Sequence, residues 1–376
     1  MAGSAHGGAG ATPPAAPYAG MAKKLQLPLL VFLLGFLYCQ IQPPPAKIPG
    51  SPGGPPVTAP RTRLKDGRHL AYLESGVPKE QAKYKIIFVH GFDCGRYDRL
   101  NVSQELGIYL LSFDRPGYSE SNTHPARTEK SIALDIAELA DNLQLGPKFH
   151  LVGFYMGGEI MWSCLKYIPH SDWLAGVAIL APVGNYCWSG FPPDVLKEAW
   201  HVQFPQDRRA VWVAHHLPWL TLWWNTQRLF LSSSVKAGNP AILSKEDAPL
   251  TQKIIDRAHM ARAGQAAGRA RLAAPRHDGR VREVGLEWSP PEMENPFFAG
   301  VGDDDVKVHL WHGAEDLYVP VELSRHISKR LPWVICHELP TAGHLFSLAD
   351  GMPDVIVRSL LLGDGSLSGN DCSPES

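Results

Sequence analysis

The chain has 376 residues, of which 44% are hydrophobic, with a formal net charge of -1 and six cysteines. That length suits one large domain or two ordinary ones, and a charge so close to zero excludes an overall field that would draw in nucleic acid. Cys39, Cys94, Cys164, Cys187, Cys336 and Cys372 form no CxxC pair and no Cys/His ligand spacing. This argues against a zinc site or a disulfide framework and for buried free thiols.

Residues 1–60 stand apart from the rest. The first 20 are rich in Ala, Gly and Pro, which cannot build a core. Lys23 and Lys24 then precede an apolar run from Leu27 to Cys39, within a segment at about 23–41, and a proline-rich linker follows to about residue 60. A basic stretch before a short apolar run is the layout of a secretory signal. The run is shorter than the roughly 20 residues of a comfortable membrane span, and no A-x-A cleavage site follows it. A cleaved signal and an uncleaved membrane anchor both fit, and either places the chain in the membrane or the secretory pathway. Met21 is an alternative start. Asn101-Val102-Ser103 is an N-glycosylation acceptor triplet in such a compartment.

From residue 61 the pattern is that of a folded core. "RTRLKDGRHLAYLESG" (61–76) reads as a hairpin turning at Asp66-Gly67. "KIIFVHG" (85–91) and "IYLLSFDRPG" (108–117) are continuous apolar runs, as expected of strands buried on both faces. Residues 131–145 carry apolar side chains at helical spacing. A strand at 149–153, a helix at 156–167 and a strand at 174–183 follow. After an interruption come strands at 306–313 and 333–339, with a helix at 321–331 between them and a last helix at 352–362. Strands alternating with helices predict a mostly parallel α/β sheet with flanking helices. The interruption, 184–295, holds Trp188, Trp200, Trp212, Trp219, Trp223 and Trp224. It reads as a helical cap inserted over the sheet's C-terminal edge, where ligands bind in such sheets. Its tryptophans either line an apolar pocket or pack the cap onto the core. The core then falls into 61–183 and 296–363, with a tail at 364–376.

The chemistry centres on "HLVGFYMGGEI" (150–160). Gly153, Gly157 and Gly158 surround Tyr155 at a strand-to-helix junction. A nucleophile on so sharp a turn needs small neighbours, and its side chain projects above the sheet. "VHGF" (89–92) offers the Phe92 N–H as one oxyanion donor, and Met156 N–H, next to the nucleophile position, is the other. "HGAEDLYVP" places Asp316 just past a strand end, and "AGHLF" places His344 in a loop before the last helix. The order nucleophile, Asp, His is that of the α/β-hydrolase fold.

Several stretches, among them "LKDGRHLAYLESGVPKE", "YKIIFVHGFD", "FDRPGYSES", "SIALDIAELADNL", "LPWLTLWWNTQ", "VHLWHG" and "HELPTAGHLF", resemble a plant family of membrane-anchored α/β-hydrolase-fold proteins of the AB hydrolase-1 type. The resemblance covers most of 61–362. It implies a capped site with a Ser/Asp/His triad that hydrolyses an ester or similar acyl bond. It assigns Asp316 as the acid, His344 as the base, and Phe92 and Met156 as oxyanion donors.

Three departures bear on activity. Tyr155 stands where the family pattern G-F-S-M-G-G has serine. The segment between "HGF" and "ELGIY" is several residues short, which should trim a helix on one side of the sheet. Residues 266–285 do not resemble the family, and between Arg257 and Arg282 they contribute to a run with seven arginines and one acid. Compensating frameshifts would account for that run; an arginine-rich surface loop or an anion-binding patch are the alternatives.

Tyrosine fails the serine mechanism on geometry, since its oxygen lies roughly 4 Å or more beyond a serine Oγ. Chemistry is a lesser obstacle, since a phenol of pKa about 10 needs a base to activate it. The readings are an impaired ester hydrolase, a non-catalytic small-molecule binder or sensor on the same scaffold, a tyrosine-nucleophile enzyme, or a defective gene copy. The expected ligand is a small apolar ester or similar molecule, with no metal or organic cofactor. Oligomeric state is not encoded in any feature noted above.

Overall fold

In the computed structural model the described residues are 3, 18–41, 47–92, 94–168, 173–184, 186, 190–227, 229–256, 290–295 and 308–363. The arginine-rich run, Trp188 and the tail at 364–376 lie outside them. The chain divides into two compact units, residues 1–42 and 43–376.

Among the described residues of the first unit there is one helix, α1 (Tyr18–Ile41), with Pro28 inside it. Its apolar side chains from Leu27 to Tyr38 are about half exposed or more. Among the described residues no helix is long and apolar enough to cross a membrane.

The second unit is built on an eight-stranded sheet in the order β1-β2-β4-β3-β5-β6-β7-β8. The strands are β1 (Arg61–Arg63), β2 (His69–Gly76), β3 (Tyr84–Val89), β4 (Ile108–Phe113), β5 (Phe149–Phe154), β6 (Leu174–Leu180), β7 (Val308–Gly313) and β8 (Val334–Leu339). β1 and β2 form the expected hairpin, with Arg63 opposite His69. β2 also runs antiparallel to β4, and every later pairing is parallel. The continuous apolar runs became the central strands because both sheet faces are covered. Alternate residues of β3 feed opposite cores. Ile87 and Val89 join the face covered by α2 (Glu129–Asn142) and α3 (Met156–Tyr167). Ile86 and Phe88 join the other.

Helix α2 starts at a capping box in which Thr128 and Ser131 satisfy each other's backbone N–H. Among the described residues, the link from β3 to β4 contains a single 3-10 turn (Gln104–Leu106) and no α-helix. Between β6 and β7 the described elements are helical: α4 (Pro193–Val202), α5 (Pro205–His216), α6 (Thr221–Thr226) and α7 (Ser234–Ala237). The chain then returns through α8 (Val321–Arg330) to β8 and ends in α9 (Met352–Leu362).

One sequence expectation is corrected. Cys39, Cys94 and Cys164 are free thiols, but Cys336 on β8 is disulfide-bonded. Sequence spacing could not reveal this, because a disulfide requires only that the fold bring two Cα atoms within about 4–7 Å.

Candidate active site

The junction of β5 and α3 is a tight elbow. Tyr155 sits at φ 59°, ψ -114°, a region that costs a residue with a Cβ about 1–3 kcal/mol. Neighbouring backbone holds it there. Tyr155 N–H donates to Leu180 O at 2.9 Å, and Glu159 and Val183 N–H both donate to Tyr155 O at 3.2 Å. The surrounding glycines are needed for close approach. A Cβ on Gly153 would lie 2.3 Å from Gly157 O, one on Gly157 would lie 2.0 Å from Val89 O, and one on Gly158 would lie 3.1 Å from the Cα of Pro182.

The loop after β3 presses on the same residue, since a Cβ on Gly91 would lie 3.0 Å from Tyr155 Cδ1. Gly91 O accepts from His90 Nδ1 at 2.8 Å and from the Arg115 guanidinium at 2.9 Å, while Arg115 N–H donates to His90 Nε2 at 3.1 Å. These bonds fix the loop that carries Phe92. Met156 is the first residue of α3, so its N–H has no acceptor within the helix.

Asp316, just past β7, is buried, with 3% exposure. Its Oδ1 accepts the N–H groups of Tyr318 at 2.9 Å and Val319 at 2.8 Å. Its Oδ2 lies 2.7 Å from His344 Nδ1 and 3.3 Å from His312 Nε2. Burial alone would raise the Asp316 pKa, but His344 and His312 together hold it well below the usual carboxylate range. His344 is clamped from the helical insertion. Asp247, fully buried, accepts the N–H groups of His344 and Leu345, each at 2.8 Å. Gly343 admits that carboxylate, since a Cβ there would meet Asp247 Oδ2 at 2.1 Å.

The hydroxyl on the elbow is engaged elsewhere than at His344. Tyr155 Oη bonds to Tyr318 Oη at 2.7 Å, and among the described residues no hydrogen bond joins it to His344. The Tyr155 ring meets the His344 ring edge-on at 90°, with centroids 5.2 Å apart. Burial pushes the Tyr155 pKa well above its ordinary value, and Tyr318 and Asp207 add to the shift. Burial likewise raises Tyr318. Both phenols are neutral at pH 7.

A cavity of about 160 Å³ opens over the elbow. Phe92, Tyr155 and Met156 line it from the sheet side, Tyr318 from the loop after β7, and Asp207 and Asn225 from α5 and α6. None of the described tryptophans lines it, so the pocket reading of those residues is corrected. Trp200 packs edge-on against Tyr186, and Trp224 against Phe230. Trp212 and Trp219 are half exposed. The aromatic lining comes instead from Phe92, Tyr155, Tyr186 and Tyr318. Among the described residues no cluster of His, Cys, Asp and Glu could hold a metal.

Sequence reasoning brought Tyr155, Asp316, His344, Phe92, Met156 and the three glycines to this place. It missed Tyr318, Asp247 and Asp207. Tyr318 was signalled weakly by lying two residues after Asp316. Nothing local marks Asp247, whose role depends on a contact nearly a hundred positions away.

The chain belongs to the alpha/beta hydrolase family, whose profile matches residues 86–359. No curated protein matches it. Among solved structures it is similar to an alpha/beta hydrolase fold protein from Chitinophaga pinensis, at 15% identity and TM-score 0.51 over 82% of this chain and 98% of that one. It is also similar to a Mycobacterium tuberculosis protein, at 17% identity and TM-score 0.50 over 76% of this chain and 90% of that one. A thermophilic esterase from Thermogutta terrifontis matches at 19% identity and TM-score 0.48, over 77% and 93% of the two chains. At these identities the likeness is one of fold.

Proposed function

We propose that this chain is a carboxylic-ester hydrolase scaffold with Tyr155 in the nucleophile's place, leaving a site for small esters or similar molecules with little or no acyl transfer of its own. One observation carries the reading. A buried Asp316–His344 pair, joined at 2.7 Å, lies beside the elbow with the imidazole against the Tyr155 ring, while the phenol on the elbow is bonded away to Tyr318. With a serine at 155, His344 would take the hydroxyl proton and Asp316 would hold the imidazole's orientation and stabilise its charge. The N–H groups of Phe92 and Met156 would receive the oxyanion. With tyrosine, the oxygen lies beyond the position of the acyl carbon. The ring also stands edge-on to the base, and the raised phenol pKa denies it a nucleophilic form. Loss of a triad nucleophile costs on the order of 10⁶ in kcat.

The test is hydrolysis of p-nitrophenyl acetate by the native chain and by Tyr155→Ser. The native chain should stay near the buffer background and the serine variant should exceed it by roughly 10³-fold or more. His344→Ala in the serine background should remove that gain. Native turnover equal to that of the serine variant would sink the reading. A folded but inert serine variant would favour a binding module that never turned over.

A secretory or membrane-associated location belongs to the same proposal. It is supported by Lys23 and Lys24 ahead of the Leu27–Cys39 run, by the stretches resembling membrane-anchored plant members, and by the disulfide at Cys336, a bond of oxidising compartments. Fractionation of cells expressing the tagged chain, with thiol alkylation before reduction, tests it. A soluble cytosolic pool with Cys336 freely alkylated would count against it.

A further inference from the structure

We propose that the cavity above Tyr155 binds a compact, uncharged molecule bearing a carbonyl group and rejects the matching carboxylate. This takes the elbow cavity as the ligand site, as in the reading above, but it concerns recognition by the native chain and needs no turnover.

Size sets the first limit. The cavity is about 160 Å³, close to the roughly 150 Å³ that accommodates a benzene ring. It therefore suits a ligand of about six to ten non-hydrogen atoms.

The hydroxyl pair sets the second. Tyr155 and Tyr318 have two O–H groups between them and share one hydrogen bond at 2.7 Å. Whichever phenol donates, the other keeps its own O–H, polarised by accepting the first bond. Both tyrosines line the cavity, so that O–H is a donor to a bound carbonyl. The Met156 N–H, at the first turn of α3, is a second donor on the same wall.

Charge sets the third. Among the described lining residues Asp207 is the one charged side chain, and no Lys or Arg joins it. Asp207 accepts the N–H of Ser234 at 2.7 Å and the hydroxyl of the same residue. A ligand carboxylate would give up its hydration for neutral phenols and a nearby like charge, with no cation to repay it. A neutral carbonyl meets no such penalty. On the opposite wall, Asn225 spends its Nδ2 on Thr221 O at 2.9 Å, which leaves Oδ1 to accept from a ligand N–H or O–H.

Benzamide and benzoate share this size and differ in charge, so they are the probes. Ligand-observed NMR titration of the full native chain at pH 7.5 should give saturable benzamide binding with Kd on the order of 1 mM, a value within reach of so small a ligand. Benzoate should bind at least about ten-fold more weakly. The double variant Tyr155→Phe/Tyr318→Phe, which removes both O–H groups, should weaken benzamide by roughly three- to ten-fold, the worth of one hydrogen bond. Asp207→Asn, which leaves the phenol pair intact, should narrow the gap between the two probes. Equal or tighter benzoate binding would overturn the proposal. So would the absence of saturation by benzamide at about 20 mM, or variants that leave both affinities unchanged. Esterase assays on Tyr155→Ser report separately, so an inert serine variant alongside selective benzamide binding would remove the hydrolase reading and keep this one.

Discussion

Asp247 illustrates how much can depend on one side chain that never faces the cavity. Its carboxylate satisfies two buried backbone N–H groups, those of His344 and Leu345. An orphaned buried donor costs about 1–3 kcal/mol, so Asp247→Ala should lower stability by about 2–6 kcal/mol, read as a shift of the urea midpoint. Asp247→Asn keeps one acceptor and should lose less. Equal losses for the two variants would show that the hydrogen bonds are not what the carboxylate supplies. In the Tyr155→Ser background the alanine change should also reduce esterase activity, because the imidazole loses its fixed register against Asp316. Tyr155 is the opposite case. The elbow backbone accepts it despite its positive φ, and its oxygen finds a partner in Tyr318 that no local pattern names.

At the scale of elements, α3 lies against the end of β3 with no room to spare. Gly157→Ala would bring a Cβ to 2.0 Å from Val89 O, a clash between two backbones that no side-chain rotation relieves. Overpacking in a core costs about 1–3 kcal/mol, and a rigid clash more. The variant should therefore be destabilised by about 3 kcal/mol or fail to fold, and a denaturation midpoint near that of the native chain would show that the helix can shift. This helix and the central strands were legible in the sequence because their signals are local. β3 is an unbroken apolar run, and α3 opens on glycines and closes before Pro169. The helical insertion was legible as an interruption of helical character, but not in the bounds of its elements. Its elements, α4 to α7, are short and broken by Pro205 and Pro218, and its tryptophans had no periodicity to say which faces they occupy. Contacts such as Tyr155 to Tyr318 exist only once distant segments meet, and no spacing rule announces them.

For the whole molecule, the buried imidazoles set the response to acid. His150 and His337 are held down to about 4 by burial, and His90 lies well below its ordinary value through burial and the Arg115 charge. In the unfolded chain each titrates near 6.5. Between those limits the unfolded state binds more protons, so stability falls as pH drops from about 6.5 toward 4. His337 alone, with 8% exposure, accounts for an effect on the order of 3 kcal/mol. Asp316 works in a lower window. Its folded pKa is depressed below 3.8, so its contribution is complete above that value and is lost only as pH falls further. Urea midpoints should therefore drop between pH 7.5 and 4.5, and His337→Gln should flatten that slope. A native slope of zero across this range would rule the account out.

The bond from Asp247 to the His344 loop also joins two things usually thought of apart, access and alignment. Residues 244–247 belong to the insertion that covers the cavity, yet they grip the loop that carries the imidazole. Lifting them would break both hydrogen bonds to that loop and leave His344 without its fixed register against Asp316. The anchored edge of the insertion is therefore a fixed post, whose two hydrogen bonds tie the cover of the cavity to the position of the imidazole.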